Sequence, residues 1–234
     1  MKNKQLYKKG LLYNTFCMIS RLCTRKHTIT QQEPIHAPVV YVSRHQNFYA
    51  PLQMMFWFPE SLRFWILDNF FERKACLDQY AVHVFHKRMK LPMPIAKLAA
   101  TPIALVLPIF FHSACSIPVH RGTKAIIRTL KESVKTLESG HSIAIFIDVD
   151  YKKTDGEITD IYKGFLYLEK YYTKKTGQHI QFVPLHVSQQ NATIHIGKAI
   201  SFSENRTFEE QKEQIYHEIL NALNQLKITQ TAEK

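Results

Sequence analysis

Residues 142–148 read Ser-Ile-Ala-Ile-Phe-Ile-Asp, almost wholly apolar, with none of the alternation of a strand that wets one face. A short apolar run of this kind is a strand covered on both faces, and covering both faces of a sheet takes helices on each side. The surrounding sequence supplies them. Residues 38–43, 116–119, 181–187 and 193–196 read as further strands. Between them Ile126, Ile127, Leu130, Val134 and Leu137 share one helical face, with Thr123 placed to cap that helix and Gly140 to end it. Residues 161–172 form another helix. Thr207-Phe208-Glu209-Glu210 is a capping box ahead of Ile215, Ile219, Leu223 and Leu226 at helical spacing. The alternation predicts an α/β fold with a central mixed sheet flanked by helices, one domain over residues 33–234 behind a separate segment of residues 1–32. A length of 234 residues suits that organisation.

The leading segment contains no Asp or Glu, whereas Lys2, Lys4, Lys8, Lys9, Arg21, Arg25 and Lys26 make it strongly basic. Leu11, Leu12, Phe16, Ile19, Leu22 and Cys23 recur at three- and four-residue steps, as on one face of a helix. A basic amphipathic helix either lies in the headgroup layer of an anionic bilayer or packs on the domain with its lysines in water. The absence of acids favours the bilayer. The whole chain carries 31 Lys and Arg against 19 Asp and Glu, a formal +12 that calls for an anionic partner. Nucleic acid is set aside, because the basic residues are not interleaved with a recognition module and the aromatics sit in apolar runs. Charge alone does not choose between a phospholipid surface and phosphorylated small molecules; the acid-free leading helix favours an anionic phospholipid surface as a partner.

Residues 51–71 hold Trp57, Trp65 and five phenylalanines, which read mainly as core; residues 31–36 read as a linker and residues 73–98 as helical and interfacial. Residues 99–111 are expected either as a hydrophobic helix broken by Pro102 and Pro108 or as a segment dipping into the bilayer. No uninterrupted apolar window of about 18 residues is present, and the basic N-terminus lacks the cleavage pattern of a secretory signal. Cys17, Cys23, Cys76 and Cys115 lie far apart with no CxxC pair, which favours free thiols and offers no zinc site. The expectation is a protein on the cytoplasmic side of the cell membrane, peripheral or monotopic.

The candidate chemistry sits in Ser43-Arg44-His45-Gln46-Asn47-Phe48-Tyr49-Ala50, directly after the first strand. A strand breaking into a polar segment delivers His45 to its carboxyl end, an address for a general base. The other reading of His45 is a strand-end histidine bonded to backbone. His120 and His186 read as ordinary polar residues at strand edges, and Cys115 has nothing beyond its identity to make it a nucleophile.

These stretches resemble the motifs of the glycerolipid acyltransferases related to lysophosphatidic acid acyltransferase. Ser43-Arg44-His45-Gln46 is similar to the Asn-His-Gln-Ser opening, with Ala50 where the family has an aspartate five positions after the histidine. Ile117-Pro118-Val119-His120-Arg121 resembles the second motif and keeps its arginine, while His120 takes the acidic position. Phe146-Ile147-Asp148-Val149-Asp150 falls where the family has Phe-Pro-Glu-Gly-Thr, with Asp148 a shortened stand-in for glutamate. Asp155-Gly156 and Tyr162-Lys163-Gly164-Phe165 follow at similar spacing. Phe182-Val183-Pro184-Leu185 resembles the Val-Pro-Val strand, and residues 194–200 resemble the Ile-Gly-x-Pro-Ile behind it.

The resemblance implies transfer of a fatty acyl group from coenzyme A or acyl carrier protein to a lysophospholipid or glycerol-phosphate hydroxyl, with no bound cofactor or metal. It gives His45 the role of general base, and places Arg121, Asp148 and Lys163 around the acceptor's phosphate. Ala50 cannot orient the imidazole, and Val149 and Asp150 remove the backbone access and hydroxyl of the Gly-Thr pair. An enzyme with altered motifs and a catalytically silent binder of lipid or acyl carrier protein are therefore both open readings.

Overall fold

The computed structural model describes residues 7–46, 48–120, 122, 124–147 and 161–231. In chain order the elements begin with α1 (Leu11–Cys23), β1 (Thr28–Gln31), β2 (Val40–Ser43), α2 (Tyr49–Trp57), β3 (Arg63–Leu67), a 3₁₀ turn (Asp68–Phe70) and α3 (Arg73–Asp78). A π-helix (Gln79–Arg88), α4 (Met93–Ser113), β4 (Ile117–Val119), α5 (Ile126–Glu138) and β5 (Ile143–Phe146) follow. A second 3₁₀ turn (Lys163–Leu166), α6 (Tyr167–Thr176), β6 (Gln181–Ser188), β7 (Thr193–Ile196), β8 (Ile200–Ser201) and α7 (Phe208–Thr231) complete the chain. They fall into two compact units whose division passes through α1 and α5: Cys17–Arg63 with residues 130–231, and residues 7–16 with Phe64–Thr129.

The first unit is built on the mixed sheet expected from the sequence. β2 lies between β5 and β6, parallel to both, β7 runs antiparallel to β6, β1 pairs parallel with β7, and β8 pairs antiparallel with the start of β6. Val40 and Val42 of β2, Ile143 of β5 and Phe182 and Leu185 of β6 are 0–2% exposed, so the central strands are covered on both faces. Each such side chain contributes about 1.5–3 kcal/mol of burial free energy. β1 was not expected, since its residues were assigned to the leading helical segment. Its four residues, Thr-Ile-Thr-Gln, are mostly exposed on an edge strand and carry no hydrophobic alternation. α7 opens on the expected capping box, the Glu210 carboxylate accepting from the Thr207 N–H at 2.7 Å and the Glu210 N–H donating to the Thr207 hydroxyl at 3.4 Å. α6 begins later than expected, after a 3₁₀ turn, and ends at Gly177 with φ +71°.

Arg63, 6% exposed, donates to Glu132 at 2.7 Å and to the Thr136 hydroxyl at 2.6 Å. This clasp joins the residue at which the chain leaves the first unit to the helix on which it returns.

In the second unit β3 and β4 form a parallel pair, with α4 packed against α3 and the π-helix. α4 corrects the expected break: it runs unbroken through Pro102 and Pro108 for 21 residues. Each proline removes one N–H from the ladder, but the remaining bonds and the packing carry the helix past both. α4 is also long and apolar enough to cross a membrane by length and composition, with 22% of the relevant window buried. Lys97 and the prolines hid this in the sequence. The start of α1 is fastened to its far end, where the Gly10 N–H donates to the Ser113 carbonyl at 2.7 Å. A Cβ at Gly10 would come within 2.6 Å of the Ser113 hydroxyl, so only glycine allows this approach. Thr123, the expected cap of α5, lies outside the described residues.

Candidate active site

The first, third and fourth stretches of the resemblance meet on three adjacent strands. Ser43 of β2 pairs with Phe146 of β5 on one side and Leu185 of β6 on the other. His45 leaves β2 two residues later, its ring 5.1 Å from the Phe146 ring. The chain then turns through Gln46 in the left-handed region, φ +47°, a conformation that non-glycine residues adopt at a cost. The turn is bonded to the start of α2, with the Tyr49 N–H donating to the Gln46 carbonyl and the Ala50 N–H to the His45 carbonyl at 3.3 Å. The Gln46 side chain donates to the Val187 carbonyl at 2.9 Å and ties the turn to β6. His45 is therefore held on a strand–turn–helix corner at the carboxyl edge of the sheet. Asn47 lies outside the described residues.

Burial pulls the basicity of His45 down to about 4. A carboxylate beside the ring would act in the opposite direction. Ala50, at the position where the family carries its aspartate, is fully buried. At neutral pH the ring is uncharged, as a base must be, but its affinity for a proton is far below that of an ordinary imidazole.

Of the expected phosphate-binding residues, Arg121 and Asp148 lie outside the described residues, as do Val149, Asp150, Asp155 and Gly156. Lys163 is described. The Ile147 N–H donates to the Ser43 carbonyl at 3.1 Å, and the Ile147 carbonyl accepts from the Tyr162 N–H at 2.9 Å, so the segment carrying Lys163 starts at the same sheet edge as His45. The ammonium group itself meets α7, 2.7 Å from Glu213 and 4.2 Å from the centre of the Tyr216 ring. That pairing pulls Glu213 below the usual carboxylate range through its hydrogen bond to Lys163. A Cβ at Gly164 would overlap the ring of Tyr162, which would have to move aside.

The second unit holds a pair that the sequence reading passed over. His120 directly follows β4 and Asp68 directly follows β3; Nδ1 of His120 lies 2.9 Å from Oδ2 of Asp68. Two short apolar runs, each ending in a polar residue, were the available signal, but their mutual register was not legible. Among the described residues no cluster of three or more His, Cys, Asp or Glu is placed to hold a metal ion.

No protein-family model and no curated protein sequence matches the chain. Among solved structures it is similar to the crystal structure of the 1-acyl-sn-glycerophosphate (LPA) acyltransferase PlsC from Thermotoga maritima, at 11% sequence identity and a TM-score of 0.49, over 92% of this chain and 88% of that one.

Proposed function

We propose that this protein is an acyltransferase of glycerolipid metabolism, moving a fatty acyl group from an acyl thioester to the hydroxyl of a lysophospholipid or glycerol-phosphate-like acceptor at an anionic membrane surface. The observation that carries the reading is the convergence of three motif-like stretches on β5, β2 and β6, level at Ser43, with His45 at the edge they share. Phe48, 71% exposed on the same corner, offers an apolar contact for an acyl chain. Coenzyme A or acyl carrier protein supplies the thioester. Arg121 and Asp148 keep the part the resemblance gives them at the acceptor's phosphate, Arg121 through paired N–H donors. Lys163 joins only by exchanging Glu213 for the phosphate.

His45 is the base that the motif resemblance assigns. By analogy with a serine-protease triad, loss of the orienting carboxylate costs a histidine base about 10⁴-fold in rate. Ala50 and the low basicity of His45 thus favour a second reading, a catalytically silent protein that binds lipid or acyl carrier protein. Labelled palmitoyl-coenzyme A or palmitoyl-acyl carrier protein, incubated with the purified chain and lysophosphatidic acid in phosphatidylglycerol vesicles, separates the two. Labelled phosphatidic acid supports the enzyme; saturable binding without transfer supports the silent protein.

A further inference from the structure

α4 has two unlike sides. Ala96, Ala100, Ala104 and Pro108 are buried at four-residue steps, and α3 and the π-helix pack along this helix. Ile95, Leu98, Leu105, Val106 and Ile109 are exposed. At 3.6 residues per turn these five fall within an arc of about 100°, opposite the buried stripe. An apolar arc of this size left in water calls for an apolar partner. The charge around it selects which one. From residue 79 to residue 131 the sequence has no Asp or Glu, while Lys87, Arg88 and Lys90, all exposed, crowd the turn that leads into α4. An apolar stripe beside uncompensated basic residues matches the acyl layer and headgroups of an anionic leaflet. Pairing two copies of the chain through this face would instead bring together surfaces of the same sign.

We infer that α4 lies in the plane of the membrane, its exposed apolar arc sunk into one leaflet and Lys87, Arg88 and Lys90 among the anionic headgroups of that leaflet. The assignment rests on the membrane surface in the reading above, not on its chemistry. Length alone would let α4 span, since its 21 residues rise roughly 32 Å. Its neighbours oppose that. α3 and the π-helix, joined to α4 by residues 89–92 and packed along it, carry Arg73, Lys74, Asp78, Lys87 and Arg88, and they would have to cross with it. Charged side chains are costly at mid-bilayer. Pro102, exposed within the same arc, supplies no N–H to the Leu98 carbonyl. Water and headgroups fill that gap at the interface, whereas hydrocarbon does not. Lying in plane lets the apolar arc and the basic turn meet the same leaflet.

The test uses the full chain with phosphatidylglycerol vesicles, each variant being compared at unchanged near-ultraviolet circular dichroism. Leu98→Ser combined with Ile109→Ser is expected to weaken cosedimentation by about 10²-fold or more, from the loss of two apolar side chains to the leaflet. Lys87→Gln, Arg88→Gln and Lys90→Gln together are expected to weaken it by about 10²-fold on phosphatidylglycerol and little on phosphatidylcholine. Leu105→Trp reads the depth: its added fluorescence over the wild type is expected to be quenched more by lipids brominated near the headgroup than by lipids brominated at the chain ends. Stronger quenching by chain-end bromine overturns the in-plane geometry. Cosedimentation unchanged by Leu98→Ser with Ile109→Ser overturns the contact; if those substitutions also dissociate a lipid-free dimer in sedimentation velocity, the face belongs to a second copy. Transfer from decanoyl-coenzyme A to glycerol phosphate without vesicles reports the chemistry apart from the membrane and is expected to survive Leu98→Ser with Ile109→Ser. A wild-type chain that transfers but does not sediment overturns the inference and leaves acyl transfer standing. One that sediments through α4 and transfers nothing overturns acyl transfer and leaves the inference standing.

Discussion

At the scale of single residues, the burial of His45 has a consequence in solution. Its basicity is held near 4, below the ordinary 6.5, so the fold favours the neutral ring. Stability from this group is complete above pH 6.5 and is lost as the pH falls from 6.5 through 4, by an amount on the order of 3 kcal/mol. His27, lowered in the same direction by burial, adds to that loss. Urea unfolding at pH 7 and at pH 4.5 is expected to show a steeper loss for the wild type than for His45→Asn; equal losses would contradict the burial argument. His45 was legible as a candidate because a strand ending in a histidine is a local pattern. Its weak basicity was not, since that depends on Phe146, about 100 residues away, and on the rest of the covering around the ring. The pairing of Asp68 with His120, 52 positions apart, was equally beyond local reading.

At the scale of elements, the clearest stabilising device joins α6 to β6. Glu169, 2% exposed, accepts from the Thr173 hydroxyl at 2.7 Å, from the Ile180 N–H at 2.8 Å and from Nδ1 of His179 at 2.5 Å. Glu169→Ala leaves the Ile180 N–H buried without its acceptor and is expected to cost about 2–4 kcal/mol. Thermal unfolding measures this, and a loss below about 1 kcal/mol would show that water enters and replaces the carboxylate. Strands with buried faces were legible from their composition: β5, β6 and β7 fall within one or two residues of the apolar runs at 142–148, 181–187 and 193–196. β1 was hidden because an exposed edge strand needs no apolar residues. α4 was legible as a hydrophobic helix but not as an unbroken one, because its two prolines read locally as stops and the packing that overrides them is not local.

At the scale of the whole molecule, charge and exposed apolar surface bear on the proposed membrane partner. Along α1, Leu11 and Leu22 are 83% and 84% exposed, and Leu98 and Ile109 of α4 are 76% and 62% exposed. The sequence set a bilayer-facing α1 against one packed on the domain and favoured the first, and the apolar residues from Leu11 to Leu22 are largely exposed. Cosedimentation with phosphatidylglycerol vesicles is expected to weaken about 10- to 100-fold for each of Leu11→Ser and Leu22→Ser, from the loss of about 1.5–3 kcal/mol of apolar burial per leucine. Binding is also expected to fall as salt rises, because the basic residues are screened. Retention unchanged in the double variant would move the contact away from α1.

The clasp of Arg63 on Glu132 and Thr136 gives the chain a neck. Residues 64–129 depart beside this clasp and come back through α5, so a change in the length of that stretch carries only a shallow entropic cost of loop closure. Diversity in what the protein acts upon is then expected to accumulate beyond the neck, with the strands behind it left unaltered.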